Sequence, residues 1–143
     1  MLGVCAVLCV SSVDSRAQTP NVKPGLWQVT LPETNTVMQV CYTAAVLSGG
    51  LFDSQVPLGL KCRNEVKEQS ARSIVTRTVC TGDVALEGET RVETPNSETM
   101  TMRATSVMNM GGSKQTVTTA ASYKWLRADC GAVKPFDPKD PLK

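Results

Sequence analysis

Between Lys61 and Thr105 the chain alternates, almost residue by residue, between side chains suited to a core and side chains suited to water. Cys62, Asn64 and Val66 fall on one side of an extended segment, and Lys61, Arg63, Glu65 and Lys67 on the other. After Ser70-Ala71-Arg72, the run Ser73 to Cys80 is rich in β-branched residues, which are stiff at χ1 and fit a pleated surface. Thr81-Gly82-Asp83 breaks it. Val84, Leu86, Gly88, Thr90 and Val92 then alternate with Ala85, Glu87, Glu89, Arg91 and Glu93. Thr94-Pro95-Asn96-Ser97 predicts a turn, because Pro presets φ and Asn and Ser tolerate turn geometry. Met100, Met102 and Ala104 resume the alternation against Thr99, Thr101, Arg103 and Thr105. A period of two places one face in a core and one in water, as antiparallel sheets do.

The flanks extend the same reading. Pro24-Gly25 predicts a turn, Leu26 to Leu31 a first strand ended by Pro32, and Val37 to Tyr42 a second. Thr43 is placed to cap a short helical turn over Ala44 to Leu47, stopped by Gly49-Gly50. Leu51 to Leu60 reads as a loop anchored by Phe52 and Leu58. Asn109 to Ser113 turns the chain into a last long strand, Gln115 to Arg127, with Val117, Thr119, Ala121, Tyr123 and Trp125 on one face. The tail from about residue 131, with Pro135, Pro138 and Pro141, is expected to stay outside the sheet interior and lie on the surface. The fold expected is therefore all-β, an antiparallel meander of seven to eight strands, with hairpin-linked order, forming a curved sheet or small barrel with one short helical turn.

Length and composition narrow the function classes. A chain of 143 residues suffices for one domain with its own core. It contains no histidine, so the commonest general base and metal ligand is missing. Aromatic residues make up 4% and the formal charge is +2, which argues against stacking platforms and phosphate footprints for nucleic acid.

Met1 to Val13 is apolar and small, too short to span a bilayer as a helix, and Ser15-Arg16-Ala17 has small residues at −3 and −1 of a cut after Ala17. Residues 1–17 thus read as a signal peptide, although no Lys or Arg precedes the apolar run, and residues 18–143 as a single disulfide-stapled β domain. The mature chain is expected in the periplasm, with no integral membrane span. Cleavage removes Cys5 and Cys9 and leaves Cys41, Cys62, Cys80 and Cys130, an even count that fits a disulfide framework with three possible connectivities. The pairing expected is Cys41–Cys62, closing the helical turn and its loop, and Cys80–Cys130, pinning the C-terminal end to the meander. Zinc sites usually pair cysteines two to four residues apart, which these spacings do not.

Lys23-Pro24-Gly25-Leu26-Trp27, Cys41-Tyr42-Thr43, Cys62, Cys80, Met100-Thr101-Met102 and Asp129-Cys130-Gly131 follow one another in that order. In this the chain resembles a family of small secreted proteins of Gram-negative bacteria catalogued as a domain of unknown function. The resemblance spans nearly all of the mature chain. It implies export to the periplasm and brings no accepted activity, cofactor or catalytic residue.

Few residues stand out as chemistry. Met100, Met102, Met108 and Met110 offer soft thioethers of the kind that hold Cu(I), although methionine also fills gaps in β cores. Asp83, Glu87, Glu89 and Glu93 could supply an acid–base pair, but the last three share a face with Arg91 as a solvated surface does. Without histidine there is no conventional triad for a serine nucleophile. Trp27, Tyr123 and Trp125, with Met100 and Met102, are expected to meet on the sheet's inner face and either pack or line an apolar cavity. The leading expectation is a non-enzymatic envelope protein that holds an apolar small molecule or a protein partner, needs no cofactor and does not bind nucleic acid. The alternative is a periplasmic Cu(I)-handling protein that uses the methionine strand; an enzyme ranks third.

Overall fold

A computed structural model describes residues 20–49, 60–82 and 84–137. The expected signal peptide, its cut after Ala17, and the anchors Phe52 and Leu58 lie outside the described residues. Seven strands form one antiparallel sheet: β1 (Gly25–Leu31), β2 (Thr36–Tyr42), β3 (Lys61–Gln69), β4 (Ser73–Thr81), β5 (Ala85–Asn96), β6 (Thr99–Met110) and β7 (Ser113–Arg127). One short helix, α1 (Ala44–Gly49), follows β2. Its start is capped as its sequence predicts. Val46 N–H donates to Thr43 Oγ1 at 3.2 Å and Leu47 N–H to the Thr43 carbonyl at 3.0 Å, satisfying amides that a helix start leaves open.

The spatial order is β2-β1-β7-β6-β5-β4-β3. Strands β3 to β7 follow each other through hairpins. The β1–β2 hairpin then docks on the far side of β7, so that β2 and β3, consecutive in sequence, become the two outer edges and the sheet stays open between them. The alternation sets one face throughout. Trp27, Val29, Met38, Val40, Tyr42, Val92, Met100, Met102, Ala121, Tyr123 and Trp125 share it by register, together with Ile74, Thr76 and Cys80. This face is called the front below. The back carries the Glu, Arg and Lys rows of β3 to β5.

Two turns show how local chemistry fixes the ladder. Gly111 and Gly112 adopt φ of 57° and 86°, the left-handed pair that a tight two-residue hairpin needs, and they set Met110 opposite Ser113. The turn expected at Thr94 to Ser97 falls later, at Ser97-Glu98, because β5 runs on to Asn96. Pro95 is accommodated in the register shift between Glu93 and Asn96, the sort of irregularity where a strand tolerates a residue without an N–H. Asn96 Oδ1 then accepts the Glu98 N–H at 2.8 Å and closes the turn.

The disulfides correct the expected pairing. They are Cys62–Cys80 and Cys41–Cys130. Cys62 faces Cys80 directly across the β3–β4 hairpin, with Cα atoms 4.0 Å apart. The expected Cys41–Cys62 bridge, closing the helical turn and its loop, would have to join the two outer strands, which lie six strand spacings apart, about 29 Å in a flat sheet. Cys41 instead bonds the segment after β7, and the tail does more than lie on the surface. Phe136 N–H donates to the Cys41 carbonyl at 2.8 Å, Pro135 forms a parallel bridge with Cys41, and the Phe136 ring meets Tyr42 edge-on at 5.7 Å. The tail therefore wraps the β2 edge from the back, where Cys41 points, to the front, where Tyr42 points.

Peptide mapping of unreduced protein should recover the pairs Cys41–Cys130 and Cys62–Cys80; fragments joining Cys41 to Cys62 would refute the topology. Gly25 has φ of 130°, and a Cβ there would stand 2.3 Å from the Arg127 carbonyl oxygen. Gly25→Ala should therefore destabilise the fold by on the order of 3 kcal/mol in denaturant unfolding. An unchanged midpoint would show that β1 does not enter the sheet as described.

Candidate functional site

The chain segment before β1 is gripped by both tryptophans. Trp27 and Trp125 are register partners across β1 and β7. Trp27 Nε1–H donates to the Lys23 carbonyl at 3.0 Å, and Trp125 Nε1–H donates to the Pro24 carbonyl at 3.1 Å. The Lys23 ammonium lies 4.7 Å from the centre of the Trp125 ring and pairs with Glu98. Lys23 N–H donates to the Ser97 carbonyl at 3.0 Å, and Trp125 N–H to the Glu98 carbonyl at 2.8 Å. Both indole N–H groups are thus used for backbone capture, which satisfies the one polar atom a buried tryptophan carries.

All five residues expected to line a cavity sit at this end of the front face, and they fall into two groups. Trp27 and Met100 are buried members of the core cluster, with Val22, Tyr42 and Val92. Met102, Tyr123 and Trp125 are partly buried and pack against that cluster, as do Val46 and Leu47 of α1 and Phe136 of the tail. Tyr42 joins the site without having been singled out as a candidate; its place in the Cys41-Tyr42-Thr43 run and its parity with Val40 were the signals available. The Tyr123 hydroxyl points toward the Met102 sulfur at 4.0 Å. Met100 and Met102, two of the four methionines on which the Cu(I) alternative rests, pack in or against the cluster that holds Trp27. Met108 and Met110 stand further along the same strand.

Farther from α1 the front face opens. Leu86 and Met108 are half-buried there, and Met110 and Val117 are 45% and 39% exposed; Val66, 52% exposed, stands on edge strand β3 level with Thr90 and Ala104. Among the described residues the front-face side chains between these two ends are small: Gly88 and Thr90 on β5, Ala104 and Ser106 on β6, Thr119 and Ala121 on β7. Gly88 is close-packed, since a Cβ there would come within 3.1 Å of Ser106 Cβ. The back face also has a hollow, over Val79, Ala85 and Val107, but its rim is charged, and Arg77 pairs there with Glu87. Among the described residues no group of three or more His, Cys, Asp or Glu side chains is arranged to hold a metal ion.

Burial pushes the Tyr42 phenol well above the ordinary tyrosine range, and neighbouring Tyr123 pushes it in the same direction. Burial raises Tyr123 as well. A phenol whose folded pKa is raised contributes stability that is fully present below the unfolded value, about 10, and is lost as pH rises toward the folded one. Titration at 295 nm should show neither tyrosine ionising near pH 10 in folded protein, and both ionising together with alkaline unfolding. Reversible ionisation near pH 10 with the fold intact would contradict the burial of this cluster.

Residues 22–130 match a family described as a protein of unknown function (DUF3617). No curated protein and no solved structure matches the chain.

Proposed function

For a chain that belongs to the DUF3617 family, whose function is unknown, we propose a non-enzymatic role in the bacterial envelope: holding an apolar small molecule on the front face of the sheet. One observation carries the reading. The front face carries apolar side chains at both ends with small or hydroxyl-bearing ones between them, and described elements outside the sheet pack on it at the α1 end, while Met110 and Val117 stay exposed at the other. Singly exposed apolar side chains are ordinary, but a face with one closed apolar end, a middle of small side chains and one open apolar end suits a chain-like ligand. Trp27 and Met100 form the buried floor, and Trp125, Tyr123 and Met102 the partly open wall, of the closed end. From there the ligand runs over Ala104 and Ser106 toward Met108 and Met110. Methionine suits this role because its flexible thioether side chain adapts to irregular apolar surfaces.

Export after cleavage at Ala17 belongs to the same proposal. The two disulfides support it, since such bonds persist in oxidising compartments and not in the bacterial cytosol. No helix among the described residues is long and apolar enough to cross a membrane.

The test is native mass spectrometry of gently purified exported protein, followed by titration of the delipidated protein with a fluorescent fatty acid. Val117→Lys and Met110→Lys place charge on the open front face and should each weaken probe binding at least tenfold without altering the unfolding midpoint. Val107→Lys is the control, because Val107 is similarly exposed but lies on the back. Equal binding by all three variants, or no binding by the parent, would sink the proposal.

A further inference from the structure

The two edges of the open sheet are built differently. Edge strand β3 carries Lys61, Arg63, Glu65, Lys67 and Glu68 and is bent by a register shift between Val66 and Glu68. Charges and bulges of this kind keep another strand from pairing with an exposed edge. Edge strand β2 reads Thr-Val-Met-Gln-Val-Cys-Tyr and has no charge, no proline and no bulge. Val37 and Met38 are 59% and 45% exposed, on opposite faces of it.

The tail guards only one end of β2. Its parallel bridge and the Phe136 N–H bond both engage Cys41, so the backbone groups of Cys41 point outward from the sheet. Backbone polarity alternates along a strand, so the N–H and C=O of Val37 and Gln39 point outward too. Among the described residues these four groups have no backbone partner. At the other limit Asn35 leaves the extended region with φ of 51°. A window remains from Thr36 to Val40, about 17 Å long.

We propose that this window takes up an extended, uncharged peptide segment of a partner protein as an eighth strand, with apolar residues flanking Val37 on the back and Met38 on the front. The main chain supplies the affinity and the flanking side chains the selectivity, as in other strand additions. The absence of charge along Thr36–Tyr42 means that nothing on the edge pairs with or favours a charged peptide. A second copy of this chain is the weaker occupant. Pairing over five residues, with the tail beside Cys41 blocking extension, buries far less than the roughly 800 Å² per partner that stable complexes use.

The experiment pans a phage-displayed library of linear twelve-residue peptides against the disulfide-bonded chain and measures the winners on two variants. Gln39→Pro removes one outward N–H, a change an edge strand tolerates on its solvent side. Val37→Lys adds the kind of charge that β3 carries, and it keeps the test decisive if the proline variant fails to fold. The expected result is enrichment of uncharged peptides with alternating apolar residues. Their affinity falls at least tenfold on both variants, and they slow hydrogen exchange at the Val37 and Gln39 amides. No enrichment, or winners that bind both variants equally, overturns the proposal. A concentration-dependent dimer of the parent chain that Gln39→Pro abolishes also overturns it, by identifying a second copy as the occupant.

Discussion

The sheet depends on one long-range pairing, that of β1 with β7. Every other strand contact joins neighbours in sequence through a hairpin, whereas this one brings residues 26–30 against residues 122–127. Closing a loop of that size is entropically unfavourable, and the contact must return that cost locally. The two tryptophans do so together. Trp27 is sealed in the core and Trp125 packs partly buried against it, each N–H binds the backbone just ahead of β1, and Gly25 lets the chain pass within van der Waals contact of Arg127 and Ala128. The lysine, glycine and tryptophan of the Lys-Pro-Gly-Leu-Trp run thus act as one device, and the turn at Ser97-Glu98 completes it.

An open sheet has two edges, and each carries a disulfide. Cys62–Cys80 ties β3 to its neighbour β4, and Cys41–Cys130 ties β2 to the tail that covers part of it. Edge strands lack a second ladder and are the first to fray, so covalent links placed there restrain the least supported parts of the sheet. Each bridge contributes about 2–4 kcal/mol by restricting the unfolded chain. The larger closed loop belongs to Cys41–Cys130, 89 residues apart, against 18 for the other.

What could be read from the sequence was whatever depends on near neighbours. Strand identity and facing followed from the period of two, the Thr43 cap from a hydroxyl before a helical run, and the Gly111-Gly112 hairpin from two residues free to take positive φ. Readings that depend on distant partners were less accessible. No local signal says that β1 joins β7 instead of leaving β2 beside β3, and the cysteine pairing follows from that choice. Pro95 misled for a related reason: proline announces a turn when read alone, but the register shift in the β5–β6 pair absorbs it within the strand. Parity places Trp27, Tyr123, Trp125, Met100 and Met102 on one face of the sheet. Parity does not separate Trp27 and Met100, which are sealed in, from Trp125, which is partly open.

The β1–β7 contact also has a consequence in time. A chain made or threaded from its N-terminus presents β1 and β2 early, as a lone hairpin of marginal stability in water. Their partner, β7, is the last of the seven described strands. The hairpins of β3 to β7 can pair in order as they appear, but the sheet cannot be completed until Arg127 has emerged and β7 is there for β1 to join.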